Sequence, residues 1–243
     1  MARADVLSVL APTGVLRAGI NMSNVLLVSS RTPEGGPAGV APDMAAGVAA
    51  CLGVPVRYVP YPRPGELADD AAKDAWDIGL IGAEPQRAAQ IAFTPAYAEI
   101  EATFLVPPGS PITDIAEVDA PGVRIAVAAR AAYDLWLERN FRHATLLRAN
   151  SLESSFALFR DGGLEALAGL RPKLAADAAT MPGSRVLPGR FMAVQQAIGV
   201  PRQRPGAEAA AAFLARFVAE AKASGFVAQL IARHGVRGLS VAG

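Results

Sequence analysis

Three polar side chains that could bind a ligand follow a short apolar run in the first half of the chain. Ile78–Ile81 is the kind of run that forms a strand buried on both faces, and a glycine-to-proline turn ends it. Glu84, Gln86 and Arg87 lie in that turn and just after it. Because small ligands of open α/β sheets bind just beyond the carboxyl ends of strands, this turn is a candidate site.

Arg87 is the first candidate for binding an anion, because a guanidinium can donate two parallel hydrogen bonds to one carboxylate. A solvated arginine that opens a helical turn at Arg87–Ile91 is the alternative, and spacing alone leaves both open. Asn21 and Ser23 form a second polar cluster at the end of an expected strand. Gln195, in a late apolar run, either faces solvent or lines a cleft.

Other chemistries have little support in the sequence. Cys51 is the one cysteine and lies in an apolar, helix-like run, so we expect a buried thiol. His143 and His234 stand far apart without a clustered set of metal ligands, so we expect neither a metal nor a cofactor. Catalytic triads, phosphate loops and dinucleotide fingerprints are absent from the sequence.

Composition and charge narrow the possible partners. The 243 residues are 52% hydrophobic and 19% charged, with a net charge of +1, which provides no electrostatic footprint for nucleic acid or for an anionic membrane. No run of about 18 apolar residues that could cross a membrane occurs. The stretch 1–12 does not resemble a secretory signal. We therefore expect a periplasmic protein if a leader has been removed, and a cytoplasmic one if the sequence is complete as written.

The elements expected between these residues form two α/β series. After a helical Asp5–Leu10 and apart from a flexible loop at Ser29–Ala38, the first series comprises strand Val15–Ile20, helix Met44–Leu52, strand Val54–Val59, helix Glu66–Ala75, and strands Ile78–Ile81 and Thr103–Val106. The second comprises strands Arg124–Ala128, Ala144–Arg148, Glu165–Ala168 and Ser184–Leu187, and helices Ala132–Phe141, Leu152–Phe159 and Pro172–Ala179. Strand Phe191–Val200 and helices Glu208–Ser224 and Phe226–His234 follow. The βαβαβ order predicts parallel sheets with right-handed crossovers.

A proline cluster at 107–111 separates the two series and predicts a lobe boundary. We therefore predict an α/β protein with lobe 1 at 1–107 plus 195–243 and lobe 2 at 108–194. Each lobe is expected to be a sheet flanked by helices, and the lobes to be joined by a two-strand hinge.

Several motifs in this order resemble the amino-acid-type (family 3) solute-binding proteins of ABC importers, which have the type II periplasmic-binding-protein fold. The matching stretches are Gly14–Gly19, Gly39–Met44, Leu52–Val54, Trp76–Gly79, Pro85–Arg87, Phe93–Tyr97, Gly122–Val127 and Glu220–Phe226. They cover nearly the whole chain.

The resemblance implies a binding role without catalysis. The arginine that matches Arg87 clamps the ligand's carboxylate in this family, helped by the turn before it, here Gly82 and Ala83. The second lobe adds backbone N–H donors at the start of its first helix, here Arg130, Ala131, Ala132 and Tyr133, which suits an anion. Hinge closure over a small solute, an ABC permease as partner and a monomeric state are further expectations.

Two departures from the family pattern affect the expected ligand. The turn before Arg87 is about two residues shorter than usual, with Gly82 and Ala83 where hydroxyls are common. The family's acidic partner for an α-ammonium is replaced by Arg171, so only Glu84 could supply that charge. An unpaired buried ammonium costs several kcal/mol, and we therefore expect a small carboxylate, a dicarboxylate or an amino-acid analogue. The alternative for Arg171 is a surface arginine that caps a strand end.

Two other functions stay open at this point. Cyclohexadienyl-dehydratase-like enzymes use the same fold, and here Glu84 and Lys173 are the acid/base candidates for such chemistry. A cytoplasmic ligand sensor is the other alternative.

Overall fold

The computed structural model describes residues 3–243. Residues 1 and 2, part of the stretch considered above as a signal, lie outside the described residues. The chain divides into two compact units: unit 1 is the part up to Glu99 together with Gln195–Gly243, and unit 2 is Ile100–Val194. The lobe limits predicted from the sequence, 1–107 plus 195–243 and 108–194, stay a prediction.

Thirteen strands are present in residues 3–243. In chain order they are β1 (Leu16–Asn21), β2 (Ser30–Arg31), β3 (Pro37–Ala38), β4 (Val56–Tyr61), β5 (Ile78–Gly82), β6 (Ile91–Phe93), β7 (Ala98–Val106), β8 (Arg124–Ala128), β9 (Thr145–Ala149), β10 (Ala166–Leu170), β11 (Arg185–Val186), β12 (Met192–Pro201) and β13 (Ser240–Val241).

Nine α-helices accompany these strands within the same described residues. They are α1 (Arg3–Leu10), α2 (Val40–Leu52), α3 (Pro64–Asp69), α4 (Pro85–Ala88), α5 (Ala132–Asn140), α6 (Leu152–Asp161), α7 (Arg171–Ala179), α8 (Ala207–Ala223) and α9 (Phe226–Arg233). Short 3-10 helices occupy Asp70–Lys73 and Ile115–Glu117.

The sheet of unit 1 has a parallel centre, as the βαβαβ order predicts. β1 pairs in parallel with β4 on one side and with β5 on the other, and β12 is antiparallel to β5. Trp76 is fully buried against this sheet and donates a hydrogen bond from Nε1 to the Leu67 carbonyl at 3.1 Å. A β-carbon at Gly79 would lie 3.0 Å from the Leu67 side chain and 3.1 Å from the Trp76 ring, so both side chains pack closely against the backbone of this glycine.

The sheet of unit 2 combines parallel and antiparallel pairs. β8 lies between β9 and β10, and both pairs are parallel, whereas β10 and β11 are antiparallel to β7. Its core is apolar and includes Phe104, Ile125 and Leu137, all fully buried. The parallel pairs set the carboxyl ends of β8 and β10 at one edge, where α5 and α7 begin.

Five features differ from the predictions. The expected loop Ser29–Ala38 contains the hairpin β2–β3, because Thr32 and Gly36 close its turn through backbone hydrogen bonds. The short elements α4, β6 and β13 were not predicted. Cys51 is exposed and not buried; because nearly every residue of α2 is apolar, apolarity did not identify the buried face of that helix.

Candidate ligand-binding site

The predicted site residues of unit 1 meet at one edge of its sheet. Because β1 and β5 are parallel, with Ile20 opposite Leu80, Asn21 and Gly82 lie at neighbouring carboxyl ends. Ser23 folds back on Asn21 there: its N–H and hydroxyl donate to Asn21 Oδ1 at 3.2 and 2.8 Å. The Asn21 side-chain oxygen is thus used within its own turn.

Arg87 and Glu84 are both buried charged residues at this edge. Arg87 lies in α4 and is 6% exposed, and its Nη1 donates to the Gly82 carbonyl at 2.7 Å. Glu84, 4% exposed, is the residue before α4 and has extended backbone. Pro85 at the start of α4 fixes the entry into the helix. A guanidinium has five N–H donors, and the Gly82 carbonyl anchors one of them within the turn.

Gln195 and Gln196 lie beside the same turn. The Ala83 N–H donates to the Gln195 carbonyl at 2.7 Å, and Gln196 is paired with Gly82 in the strand register. The Gln195 side chain donates to Glu99 Oε2 at 2.9 Å. The structure therefore brings together the seven residues predicted in unit 1, namely Asn21, Ser23, Gly82, Ala83, Glu84, Arg87 and Gln195. Their contact with a ligand stays a prediction.

The predicted site residues of unit 2 lie at the carboxyl ends of β8 and β10. Ala131, Ala132 and Tyr133 form the start of α5 and are at most 9% exposed. The N–H groups of Arg130 and Ala131 already have acceptors, Asp134 Oδ2 at 2.7 Å and the Ala128 carbonyl at 3.2 Å. The first N–H groups of a helix have no acceptor within the helix, so Ala132 and Tyr133 are the candidate donors to an anion. Arg171 begins α7 at the neighbouring strand end.

The charge of Arg171 is compensated within unit 2. Its Nε donates to Glu101 Oε2 at 2.7 Å, Nη1 to the Leu187 carbonyl at 3.3 Å, and Nη2 to the Gly189 carbonyl. Arg190 Nη1 lies 3.8 Å from the other Glu101 oxygen. Arg171 thus joins β7 to the segment before β12, and its role as a ligand contact stays a prediction.

Two tyrosine hydroxyls are buried without a hydrogen-bond partner among residues 3–243, those of Tyr97 and Tyr133. Burial raises the pKa of both hydroxyls, and the charges of Asp134 and Asp177 raise the pKa of Tyr133 further. Both groups are therefore neutral at physiological pH. Tyr133 packs in the apolar core of unit 2, so its backbone and not its ring is the part that suits an anion.

The two acid/base candidates lie in different units of the chain. Glu84 lies in unit 1 and Lys173 in unit 2. Lys173 Nζ is paired with Asp177 four residues along α7 and lies 5.8 Å from the centre of the Phe156 ring. Among the described residues, no group of three or more His, Cys, Asp or Glu side chains could hold a metal ion. No helix in that part of the chain has the length and apolar character of a membrane span.

Sequence reasoning missed Glu101, Arg190 and Asp134. Glu101 alternates with Glu99 along β7, a pattern that marks one polar face of a strand. Its partner Arg171 lies 70 residues away, and no local pattern connects the two. Asp134 was hidden because an acidic residue in the first turn of a helix is common.

Several solved structures have a fold similar to that of this chain. A solute receptor for L-cysteine from Neisseria gonorrhoeae has a TM-score of 0.75 at 20% identity, over 98% of this chain and 96% of that chain. An amino acid ABC transporter substrate-binding protein from Streptococcus pneumoniae, bound to L-arginine, has a TM-score of 0.74 at 16% identity, over 100% of both chains. An ancestral amino-acid-binding protein, a precursor of cyclohexadienyl dehydratase, has a TM-score of 0.73 at 18% identity, over 95% of this chain and 97% of that chain.

These likenesses confirm the predicted fold class, the two-lobed periplasmic-binding-protein architecture. A comparison with curated protein sequences gave no match. The family model for bacterial extracellular solute-binding proteins, family 3, matches residues 16–236. That match covers most of the chain and agrees with the resemblance drawn from its motifs, so this protein belongs to the bacterial extracellular solute-binding proteins, family 3.

Proposed function

We propose that this protein binds a small carboxylate or amino-acid-like solute, and that Arg87 holds the carboxylate of that solute. The observation that carries the proposal is the buried guanidinium of Arg87, anchored on Gly82 at a strand end with Glu84 in the same turn. A guanidinium fixed at a strand end can donate two parallel hydrogen bonds to one carboxylate, which makes this position suited to a carboxylate. Closure of two lobes over the solute is part of the same proposal and is supported by family membership.

The second group of the solute is less restricted than the sequence indicated. Arg171 suggested a second acidic group, but its Nε lies 2.7 Å from Glu101, a carboxylate that Arg190 also approaches at 3.8 Å. An ammonium group on the solute would then meet less repulsion from unit 2, and Glu84 is a residue of the acidic type that suits an ammonium. Solutes with an α-amino group are therefore included with organic acids, in line with the amino-acid ligands named for the similar structures.

Calorimetry with the purified protein tests this function. The panel comprises the standard L-amino acids together with organic mono- and dicarboxylic acids. At least one member is expected to bind, and Arg87→Ala is expected to weaken it by about 2–5 kcal/mol, as for loss of one partner of a buried charge pair. Arg87→Lys keeps the charge but loses the bidentate geometry, so its affinity is expected to lie between those of wild type and Arg87→Ala.

Arg216→Ala is the matched control, because Arg216 is an exposed arginine on α8. It should bind like the wild type. Equal affinity of wild type and Arg87→Ala for every member of the panel would contradict the role of Arg87. A wild-type protein that binds none of the panel would contradict the solute class.

We propose that binding occurs without turnover and that the solute is passed to an ABC permease outside the cytoplasm. Lys173, the candidate acid/base residue on α7, is paired with Asp177, which supports binding without turnover. Incubation with prephenate- or arogenate-like acids should give thermal stabilisation at most, with no new product. Product formation that Glu84→Gln abolishes would instead identify a dehydratase-like enzyme. Fractionation of the native cells decides between an extracellular receptor and a cytoplasmic sensor.

A further inference from the structure

Arg130 has a backbone conformation that arginine rarely adopts. Within residues 3–243, two residues other than glycine have positive φ in the left-handed region, Asp74 at 53° and Arg130 at 60°. Aspartate tolerates this region, whereas the side chain of arginine makes it unfavourable. Arg130 is exposed and lies between β8 and α5. Apolar packing of its own side chain therefore does not hold it there.

A buried carboxylate holds this turn from inside unit 2. The Arg130 N–H donates to Asp134 Oδ2 at 2.7 Å, and Asp134 is 1% exposed. Arg148 on β9 donates from Nε to the same carboxylate, at 2.9 Å to Oδ1 and 3.1 Å to Oδ2. Arg148 itself is held by Glu138 through a 3.0 Å contact. A charged acceptor that is itself buried makes a strong and well-oriented hydrogen bond.

We propose that Asp134 is a positioning residue for solute binding. Held by Arg148, it fixes the left-handed turn at Arg130, and this turn sets the direction of the N–H groups of Ala132 and Tyr133. This inference rests on the proposed function, in which those N–H groups face the solute. Asp134 acts only through the backbone of the turn and does not itself touch the solute.

Amide hydrogen exchange without solute is the first test. Asp134→Ala is expected to speed exchange at residues 130–133 by about tenfold or more, because the turn loses its acceptor. Arg130→Gly in that background should restore exchange to within about threefold of wild type, since glycine adopts the left-handed region without help. Asp134→Asn keeps one acceptor oxygen, so its exchange rates at 130–133 should lie between those of wild type and Asp134→Ala. If Asp134→Ala does not fold, Asp134→Asn is used for the same comparison.

Asp119→Asn is the matched control. Asp119 also accepts backbone N–H groups, those of residues 142–144, but at the amino-terminal edge of the same sheet. Asp119→Asn should speed amide exchange at 142–144 and leave exchange at 130–133 unchanged. Addition of Arg130→Gly should not slow the faster exchange at 142–144. General destabilisation would move both variants alike, whereas positioning predicts that Arg130→Gly rescues only the Asp134 variants.

Binding gives the second test. Asp134→Ala should weaken the affinity for every panel member that the wild type binds by about tenfold. Addition of Arg130→Gly should restore that affinity, and Asp119→Asn should bind like the wild type. Unchanged exchange in Asp134→Ala, or no rescue by Arg130→Gly, overturns the inference. Loosened exchange with unchanged affinity also overturns it. If the wild type binds no member of the panel, the proposed function is refuted instead. The exchange data then still decide whether Asp134 holds the turn at Arg130.

Discussion

Substitution of Asp77 by asparagine should destabilise the protein more than any change of a surface charge. Asp77 is fully buried just before β5, and its Oδ2 accepts the Arg17 N–H at 2.7 Å. Its Oδ1 lies 2.8 Å from Arg17 Nη2 and 2.7 Å from Arg204 Nη1. The Arg17 and Arg204 side chains are only 15% and 12% exposed, so water cannot replace the missing carboxylate.

The magnitude follows from this burial. Removal of one partner of a buried ion pair costs about 3–5 kcal/mol. Asparagine keeps one acceptor oxygen, and the exposed Asp74 still pairs with both arginines, so the low end, about 3 kcal/mol, is expected. For a chain of this size about 2–4 °C is lost per kcal/mol, which predicts a melting temperature lower by about 6–12 °C.

Differential scanning calorimetry of wild type, Asp77→Asn and Asp161→Asn measures this effect. Asp161 also pairs with an arginine, at 2.7 Å from Arg160, but the two side chains are 63% and 53% exposed. Such an exposed pair contributes less than about 1 kcal/mol. If Asp77→Asn melted within about 3 °C of wild type, as Asp161→Asn should, the reasoning from burial would be wrong.

Three further predictions follow from other polar groups. Tyr97→Phe and Tyr133→Phe each remove a buried hydroxyl without a partner among the described residues. Denaturant unfolding should show that each variant is as stable as the wild type or more stable by about 1 kcal/mol, and a clear loss of stability would reveal a hidden partner. Burial alone would raise the pKa of Asp119, but the N–H groups of Ala144, His143 and Arg142 outweigh it and lower the pKa. The difference in stability between wild type and Asp119→Asn should therefore be largest at pH 7 and decrease below about pH 4, as wild-type Asp119 becomes protonated. A constant difference between pH 7 and pH 3 would contradict this. Glu101→Gln leaves the charge of Arg171 uncompensated and should shift relative affinity in calorimetry from L-amino acids toward dicarboxylic acids such as succinate, whereas an unchanged ratio would assign the pair a structural role.

Elements with a local apolar signal were predictable from the sequence. β8 has the predicted limits Arg124–Ala128, and the part of it after Arg124 is continuously apolar. The missed strands β6 and β13 have three and two residues, and they form by pairing with β12 and β7. A short segment becomes a strand only because a distant partner supplies the hydrogen bonds, so its own sequence contains little signal.

The edge where polar residues meet in unit 1 was predictable for a different reason. Parallel strands have their carboxyl ends at one edge, so Asn21 and Gly82 had to lie near each other once β1 and β5 were paired. The depth of Arg87 was not predictable, since its alternative was a solvated arginine. Burial of this side chain depends on how α4 and β12 pack around the turn, which is a tertiary property.

The charge at Arg171 shows where reasoning from single positions fails. From its position alone, this arginine replaces an acid and inverts the charge at a strand end. In the folded chain Glu101 lies beside it, because β7 pairs with β10 and places Ala102 opposite Leu170. The charge that a solute would meet therefore depends on an antiparallel register between residues far apart in sequence. Ligand class should be argued from the summed charge of such neighbours, and substitution of Glu101 tests that sum more directly than substitution of Arg171, whose loss would also release the carbonyls of Leu187 and Gly189.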